Sequence, residues 1–430
     1  MHIHVVQPGD TIQSIAETYG LPPEVIVRDN GLDFLDNLVI GQTIVIATPQ
    51  IVYTVKPGDT LTEIAASHNV SVMQLLQNNP YLADREFIYP GDRIVISYEK
   101  NGYMATHSIT LPFVHVRTLR KTLPYLTYIS VVNYTATDEG DIITYYDDTE
   151  FIRLAKEYNT IPLMFLTTLT LQGEANIKAA FNLILNKEIQ DRLAENILNI
   201  LKSKGFYGIN ISFEFITPSN LPYVESAYAR IANRIISEGY LAFATINPDI
   251  RMTGSTVEFL RIDYSLLNQI IDNVLFMNYE WAVNPNPPSP ISSIYSIEIY
   301  LNYLLETISP YKLNLGISTI GYDWELPFFT GVSQVRALTY DSAVALARNE
   351  QVPIHFDEIS QTPFFLYTEN GATPREHIVW FIDARSINAL LNLVAENNLH
   401  GIGIWNISVF NPQLWLLVNS QYDIIKREVS

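Results

Sequence analysis

The chain has no cysteine. Disulfide staples and thiolate metal sites are therefore excluded, and the redox compartment cannot be read from the sequence. Histidine is scarce as well: there are eight in 430 residues, and no two are spaced His-x-x-x-His. No metal is expected on that count, and no motif asks for a cofactor. No apolar run reaches the roughly 18 residues that a bilayer-spanning helix needs. The opening residues "MHIHVVQPGD" lack the basic-then-hydrophobic order of a Sec export signal. Cations are in deficit, with 26 Lys and Arg against 45 Asp and Glu and a net charge of −19. Such a balance repels nucleic acid and anionic membrane surfaces, so neither is expected as a partner, and a monomer is expected. What the chain does have is 48% hydrophobic and 17% charged residues, the proportions of a compact globular protein. Its length exceeds one ordinary core, which implies two or more domains.

A repeat opens the chain. "VVQPGDTIQSIAETYGLPPEVIVRDNGL" from Val5 aligns with "TVKPGDTLTEIAASHNVSVMQLLQNNPY" from Thr54, and the copies close with "VIGQTIVIA" and "IYPGDRIVIS". Each copy reads as a strand, a Pro-Gly-Asp turn, two short helices and a closing strand. Thr11 and Thr60 suit helix N-caps, and the aspartate before each favours the same helix end. Over residues 2–47 and 51–97 this pattern resembles the LysM module, giving small α+β units at 1–48 and 50–98. The resemblance implies binding of N-acetylglucosamine-containing glycans such as peptidoglycan. The groove would lie between the first strand-to-helix turn and the second helix-to-strand turn. It would involve Gly9, Asp10, Thr11 and Ile40 in the first copy, and Gly58, Asp59, Thr60 and Tyr89 in the second. A tight turn is also reason enough for Pro-Gly-Asp. Two such modules in tandem would raise local concentration on a polymer through bivalency.

From Tyr103 onward, apolar runs rich in β-branched and aromatic residues alternate with longer amphipathic stretches. The runs are "YMATHSITL", "LTYISVVNYTA", "IPLMFLTTL", "GFYGINISFEF", "LAFATINP", "NVLFMNYEW", "KLNLGISTIGYDW" and "LHGIGIWNI". Fully apolar strands alternating with helices indicate a parallel sheet covered by helices. Eight of them over about 325 residues fit a (β/α)8 TIM-type barrel with an insertion, spanning 103–430. The fold class is therefore α/β.

Barrel chemistry sits at the C-terminal ends of the strands. Strand four, "GINISFEF", carries Asn210, Ser212 and Glu214 on one face and apolar residues on the other. Strand six ends in "MNYE", with Met277, Tyr279 and Glu280, and strand eight ends at Trp405. An acid, a hydroxyl and an indole at three strand ends suit a sugar, whose C–H faces stack on aromatic rings. Taken singly, Tyr279 and Trp405 would more often be ordinary core aromatics.

Residues 103–430 resemble the family 18 glycoside hydrolases, whose fourth strand carries Asp-x-x-Asp-x-Asp-x-Glu. The matching window "YGINISFE" has Tyr207, Asn210, Ser212 and Glu214 at the four motif positions, so only the glutamate, the family's general acid, is kept. "MNYE" and Trp405 match two further family segments. "LGISTIGYDWELPF" and "HIVWFIDARSI…LHGIGIWNI" resemble the spore-germination branch, which joins two LysM modules to such a barrel. The resemblance implies an N-acetylglucosaminidase acting on spore-cortex peptidoglycan, laid down in the coat and cortex region during sporulation.

A retaining glycosidase ordinarily needs two carboxylates, and strand four supplies one. The substrate's 2-acetamido oxygen then serves as nucleophile, Glu214 as acid and later base, and Tyr279 steadies the acetamido carbonyl. Ser212 stands where the family grips the acetamido N–H with an aspartate. Asn210, Glu280 and Asp323 are candidates to compensate for the lost charge. Tyr322, Asp323 and Trp324 read as cleft loop residues, and Trp281 and Trp380 as cleft lining or packing. A catalytically silent, lectin-like glycan binder is the alternative, since three motif aspartates are gone.

Overall fold

A computed structural model describes residues 1–33, 37–84, 87–212, 216–253, 256–277, 286–369 and 374–427. In the first module, His2–Val5 pairs antiparallel with Thr43–Ile46 and supports helices Ile12–Tyr19 and Pro23–Asn30. The second module repeats this with Ile51–Thr54, Arg93–Ser97, Leu61–Ser67 and Val72–Asn78. Each has its own small core, with Val6, Ile15, Ala16, Ile26, Ile44 and Ile46 matching Val55, Ile64, Ala65, Leu75, Ile94 and Ile96. Thr11 and Thr60 cap the first helices as expected, their hydroxyls accepting the N–H of Ser14 at 3.0 Å and Glu63 at 3.2 Å. A buried asparagine in each copy fixes the second helix to the closing strand. Asn30 accepts the Val45 N–H and donates to Val45 O, and Asn79 does the same with Val95.

Eight parallel strands then close into a barrel: β1 (Tyr103–Thr110), β2 (Tyr128–Ala136), β3 (Ile161–Thr167), β4 (Gly208–Ser212), β5 (Leu241–Ile246), β6 (Asn273–Phe276), β7 (Leu313–Ser318) and β8 (Gly401–Trp405). Each pairs with the next, and β8 pairs with β1. The outer faces pack on the surrounding helices. The helix expected from "NKEIQDRLAENILNILKSKG" runs Lys187–Lys204, buries Leu193, Ile197, Leu198 and Leu201, and stops at Gly205, whose φ of +75° a side chain would strain.

"KLNLGISTIGYDW", read above as one strand, is two. Leu313–Ser318 belongs to the barrel, while Gly321–Leu326 starts a separate five-stranded antiparallel sheet inserted between β7 and β8. The sheet's other strands are Val335–Leu338, His355–Asp357, Thr362–Glu369 and Arg375–Trp380, and helix Tyr340–Asn349 covers one of its faces. The inserted sheet begins at a closely packed position, Gly321. A Cβ there would sit 2.5 Å from Phe381 Cβ and 2.7 Å from Trp380 O, so this position has room only for a residue without a side chain.

Candidate functional site

Strand alternation sorts the barrel interior into layers. At the N-terminal end lie Ala105, Tyr128, Leu163 and Phe243. At the other end lie Ile109, Val132, Phe165, Leu275, Met277 and Trp405. Between them is a layer that is polar and almost wholly buried: His107, Ser130, Asn210 and Thr245. Its members bond to one another. His107 Nε2 meets Ser130 Oγ at 2.7 Å, Asn210 Nδ2 donates to Ser130 Oγ at 3.1 Å, and Thr245 Oγ1 donates to Asn210 Oδ1 at 2.9 Å. Burial, and secondarily His400, pushes the His107 pKa down to about 3. The ring is therefore neutral near pH 7, and the layer holds hydrogen bonds but no charge.

Asn210 thus points into the barrel as expected, and Ser212, half-buried at the end of β4, is two residues further along the same inward phase. Met277 and Trp405 lie together in the apolar layer above, at 0% and 6% exposure. Met277 has room there because β7 and β8 present glycines to it. A Cβ on Gly316 or Gly403 would fall 2.6 or 3.2 Å from its sulfur. Glu214, Tyr279, Glu280 and Trp281 lie outside the described residues.

The "GYDW" stretch is a strand and not the loop expected for it, and alternation divides its three residues between opposite faces. Tyr322 and Trp324 pack with Ile291, Ile378 and Trp380. Trp324 is wholly buried, with its indole N–H on Asn286 O at 3.1 Å, which leaves no ring face for a sugar. Asp323 turns the other way, toward the helix-covered face. There it accepts the Tyr367 hydroxyl at 2.9 Å and stands 2.9 Å from His377 Nδ1, at 2% exposure. Both its oxygens are committed, so it is not the spare carboxylate that could replace a lost motif aspartate. Trp380 is half-buried, its ring tilted 31° against that of Phe364 with centroids 4.6 Å apart.

In the modules, Gly9 and Gly58 take φ values near +91° and +92°, as the Pro-Gly-Asp turns require. Asp10 and Asp59 serve these turns more than the helix ends. Their carboxylates accept the N–H of Gln7 and of Lys56, each at 2.7 Å, and these bonds, with those to His4 and Tyr53, hold both pKa values below the usual range. The side chains of Ile40 and Tyr89 are exposed.

Sequence reasoning passed over His107, Ser130 and Thr245. Their signal was present: each is a polar residue at the inward phase of an otherwise apolar strand, in "THSIT", "YISVV" and "LAFATI".

The closed parallel barrel, its polar layer beneath an apolar one, and the two repeated modules correspond to two known families. The model of the glycosyl hydrolases family 18 matches residues 96–409, and that of the LysM domain matches 4–47 and 53–97. The chain belongs to glycosyl hydrolase family 18. It is 31% identical to the cortical fragment-lytic enzyme of Bacillus anthracis, covering 99% of this chain and 100% of that protein. It is 29% identical to the putative sporulation-specific glycosylase YdhD of Bacillus subtilis (strain 168), over 97% and 98% of the two chains. Its fold is similar to that of the Bacillus cereus spore cortex-lytic enzyme SleL, with a TM-score of 0.79, 30% identity and 99% of both chains covered. As a member of this family the chain is a glycoside hydrolase. No described helix is long and apolar enough to cross a membrane.

Proposed function

We propose that this glycoside hydrolase is an N-acetylglucosaminidase of spore-cortex peptidoglycan that works during germination by a substrate-assisted, retaining mechanism. The observation that carries the reading is the inward phase of β4, which buries Asn210 in the polar layer and leaves Ser212 half-buried at the strand's C-terminal end. Glu214 follows two residues later in the sequence. In this reading it protonates the leaving oxygen and then activates water, while the substrate's acetamido oxygen attacks C1 and Tyr279 steadies it. Ser212 accepts the acetamido N–H. The aromatic Trp405 and the flexible Met277 form the apolar bed for the sugar. Glu280 belongs to the wall of the same cleft. Full-length likeness to proteins named for cortical fragments and spore cortex supports the substrate class and a location in the coat and cortex region.

The neutral Asn210 and Ser212 favour a second reading, a glycan binder without turnover. Glu214→Gln decides between them. It keeps size and hydrogen-bonding reach but carries no proton to give. Release of reducing ends from cortical fragments should fall by about 10² to 10⁴ while fragment binding persists. Wild-type protein that releases none would make the chain a binder, and a Glu214→Gln variant at wild-type rates would remove Glu214 from the chemistry.

A further inference from the structure

The two modules match in sequence and fold but not in surroundings. In each, the Pro-Gly-Asp turn and the turn entering the closing strand are held side by side, by Gly41 N–H on Val6 O and by Gly91 N–H on Val55 O, both at 2.9 Å. The first module's second turn is taken up by the barrel's insertion and by the start of the helix after it, Ala384–Glu396. Ile40 O accepts the Ile354 N–H at 2.9 Å, Gly41 O accepts Arg385 Nη2 at 3.2 Å, and Asn37 O accepts Arg348 Nε at 2.9 Å. Val39 is buried in one apolar cluster with Tyr340, Val344 and Ile354. A Cβ on Gly41 would lie 1.9 Å from Ile354 O.

The second module's turn meets nothing comparable among the described residues. A Cβ on Gly91 would have no atom within 4 Å. Tyr89, the counterpart of buried Val39, is 60% exposed, and nearby Phe87 is 66% exposed. This module is fastened from its other side. Gln77 Nε2 donates to Pro124 O at 2.8 Å, the Tyr125 hydroxyl donates to Gln77 O at 2.5 Å, and Asn419 Nδ2 donates to Asn78 Oδ1 at 2.8 Å. Its two turns face outward, and two exposed aromatic rings stand on the second.

We infer that the modules have divided their roles. The second holds an N-acetylated glycan strand between its Lys56–Thr60 and Phe87–Gly91 turns, whereas the first has given its second turn to the insertion and acts as a clamp between module and barrel. This inference rests on the glycan-binding reading above and specifies which copy serves it. The occupant follows from the LysM match over 53–97 and from the flat, exposed Tyr89 and Phe87 rings, which suit the apolar faces of pyranose sugars. Attachment to the polymer is then through one module and gains nothing from bivalency between the two.

The test uses the full chain pelleted with purified insoluble cortex peptidoglycan. Tyr89→Ala and Ile40→Ala each truncate an exposed side chain, so both variants keep the fold, which circular dichroism verifies. Tyr89→Ala should weaken retention at least tenfold, and Ile40→Ala by less than twofold. Equal losses from the two variants, or undiminished retention of Tyr89→Ala, would overturn the division. If the wild-type chain itself is not retained, the division falls together with glycan binding by the modules. The Glu214→Gln experiment is read on soluble fragments and is unaffected by that outcome.

Discussion

Gly41→Ala and Gly91→Ala form a matched pair that measures how firmly the first module is locked to the barrel. Both glycines have positive φ, +85° and +96°, so both substitutions pay a left-handed backbone penalty of about 1–2 kcal/mol. At Gly91 the added methyl meets open space, and the cost should end there. At Gly41 it would stand 1.9 Å from a backbone oxygen, which a rotamer change cannot relieve. The turn must withdraw from Ile354. That breaks the Ile354–Ile40 and Arg385–Gly41 hydrogen bonds, each worth roughly 1 kcal/mol net. It also uncovers much of Val39, whose full burial is worth about 1.5–3 kcal/mol. The extra loss at Gly41 is therefore about 3–5 kcal/mol. Urea unfolding gives the comparison, and hydrogen exchange in the peptide containing Ile354 localises it, since that amide should lose protection in Gly41→Ala alone. Equal unfolding midpoints for the two variants, with Ile354 protected in both, would refute the docking on which the clamp rests.

Three other outcomes are expected. Ser212→Asp should fold and should carry the alkaline limb of the activity profile upward by about one pH unit, because a second carboxylate near the acid disfavours its ionisation; a superimposable profile would show that position 212 does not face the acid. Asp323→Asn should cost about 1–3 kcal/mol in urea unfolding by spoiling the bonds to Tyr367 and His377, and unchanged stability would deny those bonds a structural part. The His107 pKa lies near 3 in the folded chain against about 6.5 unfolded, so the unfolded state binds the extra proton between these values. Its contribution to stability is complete above pH 6.5 and falls by about 1.4 kcal/mol per unit on acidification, roughly 2 kcal/mol by pH 5. His107→Gln should flatten that part of the stability curve, and an unaltered slope would contradict the burial of this ring.

The barrel was legible because each strand is a short run bounded by turn residues and separated from the next by a helical period. The periodicity that defines Lys187–Lys204 or Ala384–Glu396 needs no partner to be read. The modules were legible by repetition. What escaped depends on surfaces distant in sequence. Nothing in "VIGQTIVIA" announces that Ile354 will take the Ile40 carbonyl, for the two meet only after the insertion folds back across the chain. "GYDW" looked like a cleft loop because three large polar or aromatic residues in a row suggest a site. Alternation sent the aspartate to one face and the two rings to the other. The polar layer was readable one strand at a time but gained meaning only when β1, β2, β4 and β5 were set side by side.

That layer also accounts for the asparagine in the fourth-strand motif. A carboxylate at position 210 would be fully enclosed, and His107 is not in contact with that position but bonds through Ser130, so no cation stands directly beside it. Ser130 and Thr245 offer hydroxyls, which can support a charge in part but cannot neutralise it. Asn210 instead donates to one hydroxyl and accepts from the other, leaving both its polar atoms satisfied and no charge to compensate. An uncharged floor removes the like-charge repulsion by which an adjacent aspartate would raise the pKa of the acid. Ser212, the first position above the floor, is where an added charge should have its largest effect.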